Sequence, residues 1–167
     1  AKQNLQALNH FIDIDTLDQK LEENAIRQLL SSADVVLDCT DNFETRFLLN
    51  RLCYESKVPL VSGAAIRWEG QLTTYDFRNA DSPCYRCLYK EDSGQELTCS
   101  QNGVLSPVVG MVGSMQAIEA IKALLKIPTL CGKLMIMDAY TMQIRTLNLP
   151  KDPNCQLCGQ PENDPAK

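Results

Sequence analysis

Two short motifs constrain this chain more than anything else in it: Pro-Cys-Tyr-Arg-Cys, ending at Cys87, and Asn-Cys-Gln-Leu-Cys, ending at Cys158. Each sets two thiols at C-x-x-C spacing, Cys84 with Cys87 and Cys155 with Cys158, so both can reach one ion from a single turn. Two such turns complete a tetrahedral shell of four sulfurs. An ion held by both would fasten the C-terminal tail back onto the middle of the domain. The competing reading is redox, with a disulfide in either pair or a thioredoxin-like centre. A redox C-x-x-C normally opens a helix directly after a strand, with its first thiol activated by the helix N-terminus. Neither pair has that setting in the sequence, and a second copy would be unexplained. One structural zinc site is the expectation.

The remaining composition narrows the class. A chain of 167 residues suits one domain with a substantial core, and 44% hydrophobic with 22% charged residues is ordinary for a globular protein. A net charge of −5 argues against a nucleic-acid surface, which needs clustered Lys and Arg. No apolar run approaches the ~18 residues of a membrane span, and the polar first residues do not read as a signal peptide. Eight cysteines without a secretion signal point to a reducing, cytoplasmic compartment where thiols serve metal or catalysis. The first residues, Ala-Lys-Gln-Asn, read as the inside of a helix, as if the sequence starts partway through an element.

Taken in order, strands and helices alternate. Ala1 to Leu8 reads as helix, and His10 to Asp15 alternates like a short strand. Leu21 to Leu30 has helical spacing, and Ala33 to Asp38 is an apolar run suited to a strand buried on both faces. Asp41 and Asn42 open a helix running to about Glu55, before a buried strand at Pro59 to Gly63. This rhythm predicts a doubly wound, mostly parallel α/β sheet with right-handed crossovers. Gln71 to Phe77 is rich in Thr and aromatics and reads as an antiparallel or edge strand. After a polar loop, Ser106 is expected as an N-cap with Pro107 in the first helical position. Small residues along that helix, Gly110, Gly113 and Ala117, suggest close packing against a neighbouring backbone. Lys133 to Met137 and Gln143 to Leu149 read as a hairpin.

Two places could carry chemistry. Asp38-Cys39-Thr40-Asp41-Asn42 stands at the carboxyl end of a predicted parallel strand, where open α/β sheets bind ligands. Asp41 beside a helix N-terminus could hold a phosphate-bound magnesium, or could simply cap the helix. Asp38 reads as a satisfied strand-end carboxylate. Cys99, in the polar loop, is placed for nucleophilic or persulfide chemistry, or is a spectator thiol. Cys39, Cys53 and Cys131 read as core residues. His10 is the only histidine, which nearly excludes Ser-His or Cys-His catalysis. Neither G-x-G-x-x-G nor G-x-x-x-x-G-K-[ST] occurs, so the chain has no recognisable phosphate-cradling loop.

A resemblance emerges from motifs in order: Val-Leu-Asp-Cys-Thr-Asp-Asn from Val36, Val-Pro-Leu-Val-Ser-Gly-Ala-Ala-Ile-Arg from Val58, Glu-Gly-Gln-Leu-Thr from Glu69 and Pro-Cys-Tyr-Arg-Cys-Leu from Pro83. Leu-Thr-Cys, Gly-Val-Leu-Ser-Pro-Val-Val-Gly, Gln-Ala-Ile-Glu-Ala-Ile-Lys and Cys-Gln-Leu-Cys-Gly follow. From about Asn9 to Gly159 the chain resembles the sulfur-carrier adenylyltransferases of MoeB/ThiF type, relatives of ubiquitin-activating enzymes that serve molybdopterin and thiamin-thiazole biosynthesis. The resemblance implies a Rossmann-like fold and a homodimer. It also implies Mg-ATP-dependent adenylation of the C-terminal Gly-Gly carboxylate of a ubiquitin-like sulfur-carrier protein. By motif, Asp41 corresponds to the position holding magnesium and the ATP phosphates, and Asn42 belongs to the same contact. Arg46 could add positive charge near the phosphates or pair with a helix carboxylate. Cys84, Cys87, Cys155 and Cys158 correspond to the zinc ligands, and Cys99 to the loop thiol assigned to the active site.

The departures matter too. The family's glycine-rich ATP loop, ribose-binding acid, dimer-crossing arginine and a further lysine have no counterpart here. Residues 1–167 are therefore expected to be the C-terminal part of a single adenylyltransferase domain, inactive alone, with knuckles at 84–87 and 155–158 and a mobile loop over 89–103. The alternative is a non-catalytic, zinc-stapled module that binds the carrier.

Overall fold

Helices Lys2–Leu8 (α1) and Glu23–Leu30 (α2) lead into Val36–Asp38 (β1), which opens a strand–helix–strand unit completed by Phe43–Ser56 (α3) and Leu60–Ile66 (β2). The structure, a computed structural model, describes residues 2–90 and 103–159. Glu69–Tyr75 (β3), the single turn Tyr85–Leu88 (α4), the long helix Ser106–Leu124 (α5), Lys133–Asp138 (β4) and Gln143–Asn148 (β5) follow. The five strands form one sheet in the order β1-β2-β3-β4-β5.

Among the described residues only β1 and β2 are strands paired in parallel, with Val36 opposite Leu60 and Asp38 opposite Ser62; the other three ladders are antiparallel. The expected mostly parallel sheet is thus corrected to a mixed one. The cause is local. Arg67 takes a positive φ of 51° and turns β2 straight back into β3 across two residues. The Thr- and aromatic-rich β3 is therefore antiparallel as expected, but it lies at the centre of the sheet rather than its edge. The same turn is pinned to the chain entering α5, since Arg67 N–H donates to Gly103 O and Leu105 N–H to Arg67 O, each at 3.0 Å.

Strand alternation divides the core between the two faces of the sheet. Leu60, Tyr75 and Leu134 pack with Phe47, Leu52 and Tyr85 on the side of α3 and α4. Val61, Leu72, Met135 and Met137 face α5, meeting Val108, Val112 and Ala120. On that side the buried Glu119 accepts from Thr74 Oγ1 at 2.8 Å and from Leu130 N–H at 2.6 Å, and pairs with Lys122. At the far edge, every residue of β5 is exposed. Among the described residues no helix is long and apolar enough to cross a membrane.

Several expectations need correction. His10 to Asp15 is not a strand: it pairs with no strand among the described residues, and all but Ile14 are exposed. Alternation makes a strand only where a neighbour accepts its backbone bonds. The run from Ala33 is strand only at Val36–Asp38, and Leu37 remains 39% exposed, so it is not covered on both faces. Helix α5 has Leu105, not Ser106, as its N-cap. Gly110 and Gly113 face open space.

Close approach occurs instead under the strands. A Cβ on Gly63 would sit 2.6 Å from Gln116 Oε1, and one on Gly70 would sit 2.6 Å from Val112 Cγ2. Gln116 cannot swing aside, because its amide Nε2 donates to Asp38 O at 2.7 Å and to Val61 O at 2.9 Å. Gly63→Ala is therefore expected to cost about 1–3 kcal/mol through overpacking, read as a lower urea midpoint at unchanged m-value.

Candidate functional site

The loop after β1 is held from two sides. From below, Gln116 bridges the main-chain carbonyls of Asp38 and Val61, and Cys39 Sγ approaches its Oε1 at 3.5 Å. From the α3 side, Arg46 donates to Thr40 O through Nε at 3.2 Å and Nη2 at 2.5 Å. The Asp38 carboxylate is buried and well supplied. It accepts from Thr40 N–H at 3.0 Å and Thr40 Oγ1 at 2.7 Å, with Ser62 Oγ at 3.4 Å and the Arg46 guanidinium at 3.9 Å. It is the satisfied strand-end acid expected from the sequence.

Asn42, not Asp41, caps α3. Its Oδ1 accepts from Thr45 N–H at 2.9 Å, which satisfies one of the orphan donors of the first turn. Asp41 is exposed, and its carboxylate has no hydrogen bond or ion pair among the described residues. The geometry thus leaves an uncommitted carboxylate at the carboxyl end of a parallel strand pair, next to a capped helix N-terminus that favours negative groups. Arg46 lies beneath the loop, with only 12% of its side chain exposed.

Cys39, expected in the core, is exposed, whereas Cys53 is fully buried and Cys131 half-buried. A three-residue β1 is too short to draw the residue after Asp38 inside. Burial of the sulfur, then the charge of Asp38, push the Cys39 thiol up, so it stays protonated at neutral pH. Cys99 lies outside the described residues.

The second centre brings the two cysteine pairs together. Sγ of Cys84 is 3.6 Å from that of Cys155, and Sγ of Cys87 is 3.3 Å from that of Cys158. All four sulfurs lie within 4.8 Å of one another, close to the ~3.8 Å edge of a tetrahedron with metal–sulfur bonds of ~2.3 Å. The nearest partners lie across the knuckles, and all four cysteines are free of disulfides. The group can hold a metal ion. Cys84 does open one helical turn, α4, but residues 76–83 separate it from the end of β3, so the pair lacks the strand-then-helix setting of a redox centre. Cys87, the second thiol, is pushed down to about 5 by Cys84 and by the N–H groups of Asp152 and Cys84, each 3.4 Å from its sulfur. Cys84 is pushed up by its bond to Cys87 and by burial. Gly159 closes the second knuckle: its N–H donates to Cys155 O at 2.9 Å, and any Cβ there would meet Pro153 O at 2.4 Å.

Sequence reasoning missed Gln116 and Asn50. Gln116 is a lone amide in the buried stripe of α5, between Val112 and Ala120, and that isolation was the available signal. Asn50, fully buried in α3, accepts the Tyr85 N–H at 2.8 Å and so orients the first knuckle.

A family model described as ThiF family matches residues 1–157. The chain is 44% identical over 161 residues to the molybdopterin-synthase adenylyltransferase of Salmonella typhimurium, covering 96% of this chain and 64% of that protein. It is 39% identical over 166 residues to the sulfur carrier protein ThiS adenylyltransferase of Escherichia coli, covering 99% of this chain and 66% of that protein. The chain thus spans just under two thirds of these relatives. A crystal structure of E. coli MccB with MccA-N7isoASN superposes at a TM-score of 0.77 and 16% identity, over 95% of this chain and 50% of that one. That likeness establishes the fold alone.

The division of labour between Asp41 and Asn42 is testable by stability. Asn42→Ala is expected to cost about 1 kcal/mol as a lost cap, while Asp41→Ala stays within about 0.5 kcal/mol of wild type in denaturant unfolding.

Proposed function

The chain belongs to the ThiF family, and on that premise we propose that it supplies part of the centre of an ATP-dependent adenylyltransferase. Its substrate is the C-terminal Gly-Gly carboxylate of a ubiquitin-like sulfur-carrier protein, in molybdopterin or thiamin biosynthesis. One carboxylate oxygen attacks the α-phosphorus of ATP and pyrophosphate leaves, giving an acyl-adenylate ready for sulfur transfer. The observation that carries this reading is the exposed, uncommitted Asp41 at the carboxyl end of β1. A hard cation such as magnesium takes carboxylate oxygens, and a magnesium held by Asp41 would neutralise charge on the leaving pyrophosphate. Asn42 fixes the helix start beside the nucleotide. Arg46 braces the loop through the Thr40 carbonyl and adds positive charge beneath it. Cys99 is the proposed active-site thiol. The phosphate-cradling glycine loop is supplied from outside these residues, which the absence of such a motif here supports. A homodimer belongs to the same reading.

The four thiols suit zinc, which favours four-sulfur tetrahedral shells, and they serve structure rather than chemistry. We expect one zinc per chain by metal analysis. Chelation is expected to release the tail from Lys151 onward, read as new protease cleavage there. A metal-free protein with a disulfide in either pair would overturn this assignment.

Asp41→Ala is expected to lower carrier-stimulated ATP–pyrophosphate exchange by roughly 10²–10³-fold, with unchanged far-UV circular dichroism. Exchange at the wild-type rate would remove Asp41 from the centre.

A further inference from the structure

The first cysteine knuckle and the Asp41 loop share a wall. Tyr85 follows Cys84, is 3% exposed, and sets its ring edge-on to Phe47 at 5.2 Å between centroids. Phe47 is the neighbour of Arg46, whose guanidinium grips Thr40 O. Beside Tyr85 and Arg46 lies a small cavity of about 10 Å³, lined in part by Arg46, Ser62, Thr73, Tyr75, Tyr85 and Tyr89. Tyr89 Oη is engaged with Gln71 Oε1 at 2.6 Å, and Thr73 Oγ1 with Lys133 O at 2.8 Å. The hydroxyls of Tyr75 and Tyr85 are different: both are buried, Tyr75 has no partner among the described residues, and Tyr85 meets only the Arg46 guanidinium, outside good hydrogen-bond geometry.

A buried hydroxyl without a partner is unfavourable, and a polar void near the size of one water, roughly 10–15 Å³, is where an internal water settles. We infer that this void is a one-water site, in which a single water joins the Tyr75 and Tyr85 hydroxyls beside Arg46. Tyr85 is thereby a positioning residue that transmits the state of the Cys84–Cys87 knuckle to the Thr40 carbonyl and the loop bearing Asp41. The functional end of this link rests on the reading of Asp41 above; the water and the mechanical link do not. Losing the ion would release Tyr85, open the void and loosen the Arg46 hold on the loop.

Tyr75→Phe, made in the protein at its natural length, tests the water by sign. Removing an unpartnered phenol leaves stability unchanged or raised, whereas removing a water-bound one lowers it. We expect the folding equilibrium constant to fall about fivefold, and Tyr85→Phe, which also loses its contact with Arg46, to act in the same direction. With one metal per chain retained in Tyr85→Phe, exchange of the Thr40 amide, held by Asp38 Oδ1, is expected to rise several-fold; chelation of wild type should raise it likewise. Unchanged or increased stability of Tyr75→Phe overturns the water site. Unchanged Thr40 exchange in both Tyr85→Phe and the chelated protein overturns the link. Thr40 exchange does not depend on catalysis, so it separates failure of the link from failure of the Asp41 assignment.

Discussion

One carboxamide holds the functional end of this sheet together. Gln116 spans the main-chain carbonyls of Asp38 and Val61, the point where the parallel pair of β1 and β2 ends and the loop bearing Asp41 begins. Carbonyls beyond a ladder need a donor, and water cannot fill that role under the buried stripe of α5. The amide therefore fixes where α5 crosses the sheet, requires glycine at position 63, and sets the direction in which the chain leaves β1. Because Gln116 and Arg46 secure the loop from opposite sides, the segment between Asp38 and Asn42 has little freedom of its own. Asp41 is exposed on a rigid mount, which suits a proposed ligand of a cation that demands fixed geometry.

The two centres read differently once their packing is known. Spacing alone suggests that the cysteine cluster is remote from the chemistry. The packing of Tyr85 against Phe47, and of Phe47 beside Arg46, places the knuckle one residue layer from the loop. A structural ion there would act as a buttress, with the same residues serving burial on one side and orientation on the other.

Much of this was legible in the residues. The unit from Val36 to Ile66 followed from a short apolar run, a capped helix and a second apolar run. The cysteine pairs gave their own convergence, since C-x-x-C spacing fixes what each turn can reach. What remained hidden depended on partners distant in sequence. His10 to Asp15 alternates like a strand but has no neighbour to pair with. The central position of β3 depends on a hairpin turn at Arg67 that carries no glycine or asparagine, so its local chemistry gave no warning. Gly110 and Gly113 resembled a packing stripe, while the true close approaches, Gly63 and Gly70, lay in strands. Asp41 reads as the possible cap, and only the bond from Thr45 N–H gives that role to Asn42.

The spacing of the cysteine pairs also bears on the unfolded chain. The sulfurs that meet, Cys84 with Cys155 and Cys87 with Cys158, are 71 residues apart. Any ion bound by all four closes a loop of that length, and in the chain-entropy model such a cross-link removes roughly 4 kcal/mol of freedom from the unfolded ensemble. Each C-x-x-C turn is local enough to capture an ion before the fold exists. The metal-loaded chain would then begin folding with its tail already tethered to its middle, and β3, α5 and the β4–β5 hairpin would have far fewer wrong arrangements to search.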